Sequence, residues 1–234
     1  MKIFTSMSEW QTYRGAMKES PLGFVPTMGA LHEGHLSLLT ASKAQNALTI
    51  VSVFINPTQF DDKKDFEKYP DDSGSDLGHL ENAGADIVLL PDSEQIYRDD
   101  YRFRISESDF SRRLCGAHRP GHFDGVLTVV MRLLNLVQPD HAYFGEKDYQ
   151  QLQLIRDMVS AFFMPVTIVA CETVREADGL AMSSRNQHLD EQQRVKAGKL
   201  YAALKYSHTA AEARQVLAGQ GFEVDYVEDI KDRR

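Results

Sequence analysis

Pro26-Thr27-Met28-Gly29-Ala30-Leu31-His32-Glu33-Gly34-His35 reads as the end of a strand, a glycine-bearing turn and the first turn of a helix. The residues before it, Leu22-Gly23-Phe24-Val25, are short and apolar, as a buried strand requires. Leu36, Leu38 and Leu39 carry the helix onward. With a helix start near Leu31, His32 and His35 stand three apart on one face of its first turn. There the unpaired N–H groups and the positive end of the helix dipole favour a phosphate. Gly29 and Gly34 remove side chains where a phosphate would approach the backbone. A surface turn that happens to carry two histidines is the plainer alternative. The strand before it and the two glycines around it favour the phosphate site.

Outward from this turn, strand and helix patterns alternate. Residues 8–18, with Trp10, Tyr13, Ala16 and Met17, predict a short amphipathic helix before the first strand. Residues 48–54 are β-branched and apolar, a buried strand that runs into Asn56-Pro57-Thr58-Gln59. The Asp- and Lys-rich residues 61–72 predict a mobile, solvated loop. Residues 87–90 predict a strand closed by Pro91, and Phe103-Arg104-Ile105 a minor one. Val126, Val129, Val130, Leu133, Leu134 and Val137 recur at three and four, the face of a buried helix. Ala142-Tyr143-Phe144 predicts a strand ending at Gly145; Leu152, Ile155, Val159 and Phe162 mark a helix, and residues 166–170 a last strand. This alternation predicts an α/β fold, a parallel sheet with helices on both faces. Ligands of such sheets sit outside the carboxyl ends of the strands, where 26–35, 56–59 and 145–151 all fall.

Beyond Glu172 a loop rich in Arg, Ser and Asp precedes a long polar helical region, about 190–218, stopped by Gly219 and Gly221. Residues 224–230 predict one strand. The expected division is residues 1–173 as a nucleotide- and substrate-binding domain and 174–234 as a small α+β lid.

A chain of 234 residues holds one large domain, or one of about 170 residues plus a small one. Its 42% hydrophobic and 26% charged residues are ordinary for a soluble protein. No apolar run approaches a membrane span, and Lys2, Glu9, Arg14, Lys18 and Glu19 leave no secretory core. Cys115 and Cys171 are too few for a disulfide framework and lack metal-ligand spacing. These features suit a reducing cytoplasm. A net charge of −8 argues against a general nucleic-acid binder, not against a small polyanion held by local cations.

Residues 26–35 resemble the His-x-Gly-His segment of the nucleotidylyltransferase superfamily, in the form found in the pantoate–β-alanine ligases. Three further stretches resemble that family in order and spacing: Phe54-Ile55-Asn56-Pro57-Thr58-Gln59-Phe60, Phe144-Gly145-Glu146-Lys147-Asp148-Tyr149-Gln150-Gln151 and Asp178-Gly179-Leu180-Ala181-Met182-Ser183-Ser184-Arg185-Asn186. Arg119-Pro120-Gly121-His122-Phe123-Asp124-Gly125 matches a fourth. The resemblance implies a Rossmann-like domain and a cytoplasmic homodimer that condenses pantoate with β-alanine. ATP would first convert pantoate to pantoyl adenylate, with Mg2+ carried on its phosphates. The family's carboxyl-terminal domain is usually larger, so the resemblance makes this a shortened member or a truncated chain.

By the same resemblance His32, His35 and Lys147 are the catalytic residues, the histidines donating to the α- and β-phosphate oxygens. ATP would be held by Met28, His35, Gly145, Lys147, Asp148, Val174, Met182, Ser183, Ser184 and Arg185. Pantoate would be held by Pro26, Thr27, Met28, Asn56, Gln59 and Gln151, the two glutamines because an amide both donates and accepts. Asp148 has a second reading as the cap of the following helix. Arg119 is a further phosphate candidate and Asp76 a marginal metal ligand; no protein residue is assigned to the metal. Two rivals remain open: a nucleotidylyltransferase with a dinucleotide-type product, and a non-catalytic nucleotide-binding module.

Overall fold

In the computed structural model, alternate residues of the central strands point into two separate cores. Phe24, Ile50, Leu89 and Phe144 face one, with Trp10, Val126, Leu127 and Ile155. Val25, Val51, Val88 and Tyr143 face the other, with Leu38, Leu39 and Leu80. Successive side chains of a strand leave opposite faces, so a sheet covered on both sides must divide its core this way. The structure describes residues 1–18, 20–70 and 73–230.

Among the described residues, six parallel strands form one sheet: β1 (Lys2–Phe4), β2 (Leu22–Thr27), β3 (Leu48–Val53), β4 (Ile87–Leu89), β5 (His141–Gly145) and β6 (Thr167–Cys171). Their order is β1-β4-β3-β2-β5-β6. The helices between them are α1 (Met7–Ala16), α2 (Glu33–Gln45), α3 (Lys63–Glu67), α4 (Ser73–Asn82), α5 (Ser93–Ile96), α6 (Cys115–His118), α7 (His122–Val137) and α8 (Tyr149–Ala161). After β6 come α9 (Glu191–Ala197), α10 (Lys199–Tyr206) and α11 (Ala210–Gly219). The chain divides into two compact units, Met1–Glu172 and Thr173–Arg234. From β2 the chain winds one way through β3 and β4; β5 and β6 lie on the other side. The strand order therefore reverses between β2 and β5, and the crevice outside their carboxyl ends is where such sheets bind ligands.

The α/β reading of the first unit holds, and α7 shows why. Its apolar face is buried from Phe123 to Val137. Truncating Leu127, 1% exposed, to alanine would cost about 2–5 kcal/mol. α1 closes the far end of α7. Trp10 Nε1 donates to the Leu136 carbonyl at 2.9 Å, and Arg14 donates to those of Val137 and Gln138 at 2.8 and 2.9 Å. These are carbonyls that a helix end leaves unpaired.

Several expectations need correction. α2 starts at Glu33, with His32 as its N-cap, two residues later than expected. The polar stretch 61–72 contains α3, capped by Asp62, and its Phe66 and Tyr69 rings pack edge-on against Phe60. Its Asp71 and Asp72 lie outside the described residues, as do Glu19 and residues 231–234. Residues 103–105 form no strand, because side chains take their donors: Phe103 N–H goes to Asp99 and Ile105 N–H to Thr128. Residues 224–230 form no strand beyond a bridge at Ile230; Arg214 takes the Val224 carbonyl. The helical region 190–218 is three helices, α9 to α11. β1 and α4 carried too short or too polar a pattern to be foreseen.

Candidate active site

The turn after β2 is built from its backbone outward. Gly29 has φ +81° and Ala30 φ +50°, both left-handed. A Cβ on Gly29 would lie 2.8 Å from an Asp76 carboxylate oxygen and 3.1 Å from Val53, so only glycine fits. Asp76, on α4 and 3% exposed, accepts from Ala30 N–H at 2.8 Å and Leu31 N–H at 2.7 Å. The Thr27 hydroxyl donates to the Ser52 carbonyl at 2.8 Å and accepts from Gly29 N–H at 3.3 Å. Thr27 thus serves the turn itself. Asp76 serves it too: both its oxygens hold backbone donors.

His32 and His35 complete the helix start reciprocally. Gly34 N–H donates to His32 Nδ1 at 3.1 Å, and His32 N–H to His35 Nδ1 at 3.3 Å. With Nδ1 an acceptor in each ring, the ring N–H sits on Nε2. The rings lie 4.1 Å apart. Burial, then His32, then Lys147 lower the His35 pKa from 6.5 to about 3. His35 is therefore a neutral donor at physiological pH, and Lys147 lies near enough for its charge to be felt there.

Lys147 and Asp148 sit in a 3-10 turn, Glu146–Asp148, directly after β5, so both sides of the strand-order reversal carry predicted residues. Their mutual ion pair, 3.8 Å long and largely exposed, is weak. Asp148 occupies the N-cap position of α8, yet its side chain makes no capping bond. A Cβ on Gly145 would meet nothing closer than 4.0 Å, so the protein's own packing does not require that glycine. Gln151 is half-buried on the first turn of α8. Its neighbour Gln150 is structural, bonding Phe110 and Arg113 carbonyls and Cys115 N–H.

After β3, Asn56 caps a 3-10 turn, Pro57–Gln59, whose last residue is Gln59. Asn56, 1% exposed, accepts at Oδ1 from Thr58 N–H (3.3 Å), the Thr58 hydroxyl (3.0 Å) and the Tyr97 hydroxyl (2.5 Å). Its Nδ2 donates to Gln59 Oε1 at 2.9 Å and lies 3.4 Å from the Gly125 carbonyl. Gln59 Nε2 donates to the Met28 sulfur at 3.0 Å. Met28, Asn56 and Gln59 are thus one connected group, with Pro26 half-buried nearby in β2. α7 passes so close that a Cβ on Gly125 would fall 2.2 Å from the Thr58 carbonyl oxygen. His122 Nδ1 bonds the Gln59 carbonyl at 2.7 Å, and its Nε2 lies 3.1 Å from Arg119. Burial chiefly, with Arg119 adding, lowers the His122 pKa. Arg119 itself is tied to Asp61 at 2.8 Å.

The second unit holds the remaining predicted residues. Met182 N–H donates to the Val174 carbonyl at 3.0 Å and Glu176 N–H to that of Leu180 at 2.8 Å, a small hairpin that turns at Gly179. Ser183 caps a 3-10 turn, Ser184–His188, accepting from Arg185 N–H at 3.3 Å. Arg185 is exposed.

A family model described as pantoate-beta-alanine ligase matches residues 2–233. The chain belongs to the pantoate–β-alanine ligase family. It is 51% identical over 233 residues to the pantothenate synthetase of Bdellovibrio bacteriovorus, covering 100% of this chain and 92% of that protein. The pantothenate synthetase of Coxiella burnetii is 46% identical, with coverages of 100% and 90%. A crystal structure of the Francisella tularensis pantoate-beta-alanine ligase, complexed with beta-gamma ATP and beta-alanine, matches with a TM-score of 0.93 and 37% identity. It covers 99% of this chain and 90% of that one. Asp76, Tyr97 and His122 were not anticipated in the roles described above. The nearest hint, the family stretch around His122, identifies no partner.

Proposed function

We propose that this protein is a ligase that joins pantoate to β-alanine using ATP, through pantoyl adenylate. Pantoate's carboxylate attacks the α-phosphorus, pyrophosphate leaves, and the amine of β-alanine then displaces AMP from the acyl carbon. One observation carries the assignment of roles: His32 and His35 hold their ring N–H on Nε2 at a helix N-terminus beside the strand-order reversal. Neutral donors fixed before substrate arrives need no reorganisation as charge builds on the phosphates. Lys147 supplies the positive charge that a neutral His35 does not. Met28, Gly145 and Asp148 would complete the first unit's contribution to ATP. Val174, Met182, Ser183, Ser184 and Arg185 are proposed as further ATP ligands on the family's pattern. Gln59 and Gln151 would hold pantoate, with Pro26, Thr27 and Asn56 shaping that end.

Magnesium, when bound, neutralises phosphate charge. Its ligands would be chiefly phosphate and water oxygens, since this ion dehydrates reluctantly and usually binds through substrate phosphates. The same reading makes the protein a cytoplasmic homodimer that does not act on nucleic acid. The net charge of −8 supports the last point, and no helix among the described residues is long and apolar enough to cross a membrane.

The test is ATP–pyrophosphate exchange with pantoate present and β-alanine absent. Pantoate-dependent exchange is expected, and His35→Ala should lower it on the order of 10²–10³-fold, the effect of losing one preorganised donor. Exchange without pantoate would identify a different acceptor. Binding of ATP without exchange would indicate a non-catalytic module.

A further inference from the structure

Three hydrogen-bonded side chains behind Gln59 determine which end of its amide faces outward. An amide can offer either a donor or an acceptor to a ligand, and only its neighbours decide which. Thr58 N–H can only donate, so Asn56 must turn Oδ1 toward it, and the Tyr97 hydroxyl donates to the same oxygen. Asn56 Nδ2 is then aimed at Gln59 Oε1. Among the described residues, the Gln59 NH2 meets no strong acceptor. That group rests on the Met28 thioether, a weak acceptor that a carboxylate, hydroxyl or carbonyl oxygen would readily outcompete.

Tyr97 is itself held firmly. It is 7% exposed, and the Arg132 guanidinium lies 4.9 Å from its ring centroid. Arg132 in turn bonds both Asp99 oxygens, at 2.6 and 3.1 Å, and the Ile96 and Phe103 carbonyls. Burial pushes the Tyr97 hydroxyl up to about 12, so it remains a proton donor over the working pH range.

We infer that Tyr97 is a positioning residue for the substrate acid: acting through Asn56, it locks Gln59 so that the site presents an N–H donor to an oxygen of the ligand. This rests on the reading above that Gln59 holds pantoate. The site should therefore select an acid carrying an oxygen acceptor at that position and discriminate against an analogue with an amine there.

The experiment measures the KM for pantoate in pyrophosphate exchange for the parent, Tyr97→Phe, Gln59→Ala and the double variant. Losing one neutral hydrogen bond from the relay should raise the pantoate KM about fivefold in Tyr97→Phe. The KM for ATP should stay unchanged. In the Gln59→Ala background, Tyr97→Phe should add nothing. Full additivity, or an unchanged pantoate KM in Tyr97→Phe alone, overturns the inference. An unchanged KM in Gln59→Ala overturns the pantoate assignment first, and the inference with it. Gln59→Glu supplies a check that leaves Tyr97 intact, since it replaces the outward N–H by an acceptor. It should impair pantoate binding more than Gln59→Ala does; an equal or smaller effect overturns the proposed orientation.

Discussion

Two loops that carry predicted nucleotide ligands, the turn at 27–35 and the hairpin at 174–185, are held by different physics. In the first, a buried carboxylate accepts two backbone N–H groups, a buried threonine braces the strand end, and two histidine side chains accept the Gly34 and His32 N–H groups. In the second, the main ties are a largely exposed Arg194–Asp178 ion pair, Arg175 donating to the Gly179 carbonyl, and Arg175 stacked 3.6 Å from the Tyr201 ring centroid. Charge-assisted bonds in a dry site are strong and costly to lose, whereas exposed pairs trade almost evenly with water. The first loop is fixed by the protein's own buried bonds. The second is held by contacts that solvent can replace.

The sharpest way to break this contrast is Asp76→Ala. It orphans the Ala30 and Leu31 N–H groups, each worth about 1–3 kcal/mol when buried without a partner. A large fall in the denaturation midpoint and a matching loss of pyrophosphate exchange are expected. Retention of both would show that the turn holds itself. A second, smaller effect concerns pH. His35 titrates near 3 in the folded protein and at its ordinary 6.5 when exposed, so the unfolded chain binds the extra proton between those values. This group's contribution therefore makes stability fall as pH drops from about 6.5 toward 3, with no further change below. Urea midpoints measured across that window should show a flatter pH slope in His35→Ala than in the parent; parallel slopes would place the proton elsewhere. The smallest effect is expected from Arg194→Ala, which should leave the denaturation midpoint unmoved. A clear drop would mean that the hairpin tie resists water better than its exposure suggests.

Legibility in the sequence followed range. The His32–His35 turn was readable because its signals, two glycines and a strand before a helical run, lie within ten residues. Even there the helix start moved, since the His32 side chain caps the helix rather than joining it. The Lys147 turn was readable as a strand end, but Asp148 was available as a cap only in principle. Asp76 was legible merely as an acid in a polar region, a marginal metal candidate, because its partners are 45 and 46 residues away. Residues 103–105 and 224–230 read as strands because their own pattern does not show that side chains 4, 10 and 23 positions away claim their backbone groups.

The sequence alone determined the alternation of strands and helices, the division of each strand between two faces, and the family, because periodicity and short motifs are local properties of the chain. Only the tertiary structure decided the order of strands, the clamp on Ala30 and Leu31, the tautomer that leaves Nε2–H on both histidines, and the direction of the Gln59 amide. The tautomers rest on bonds two and three residues apart that form once the helix starts at Glu33, whereas the strand order, the clamp and the Gln59 amide depend on which donor meets which acceptor across a large sequence separation. No periodicity encodes that; packing two distant segments against one another does.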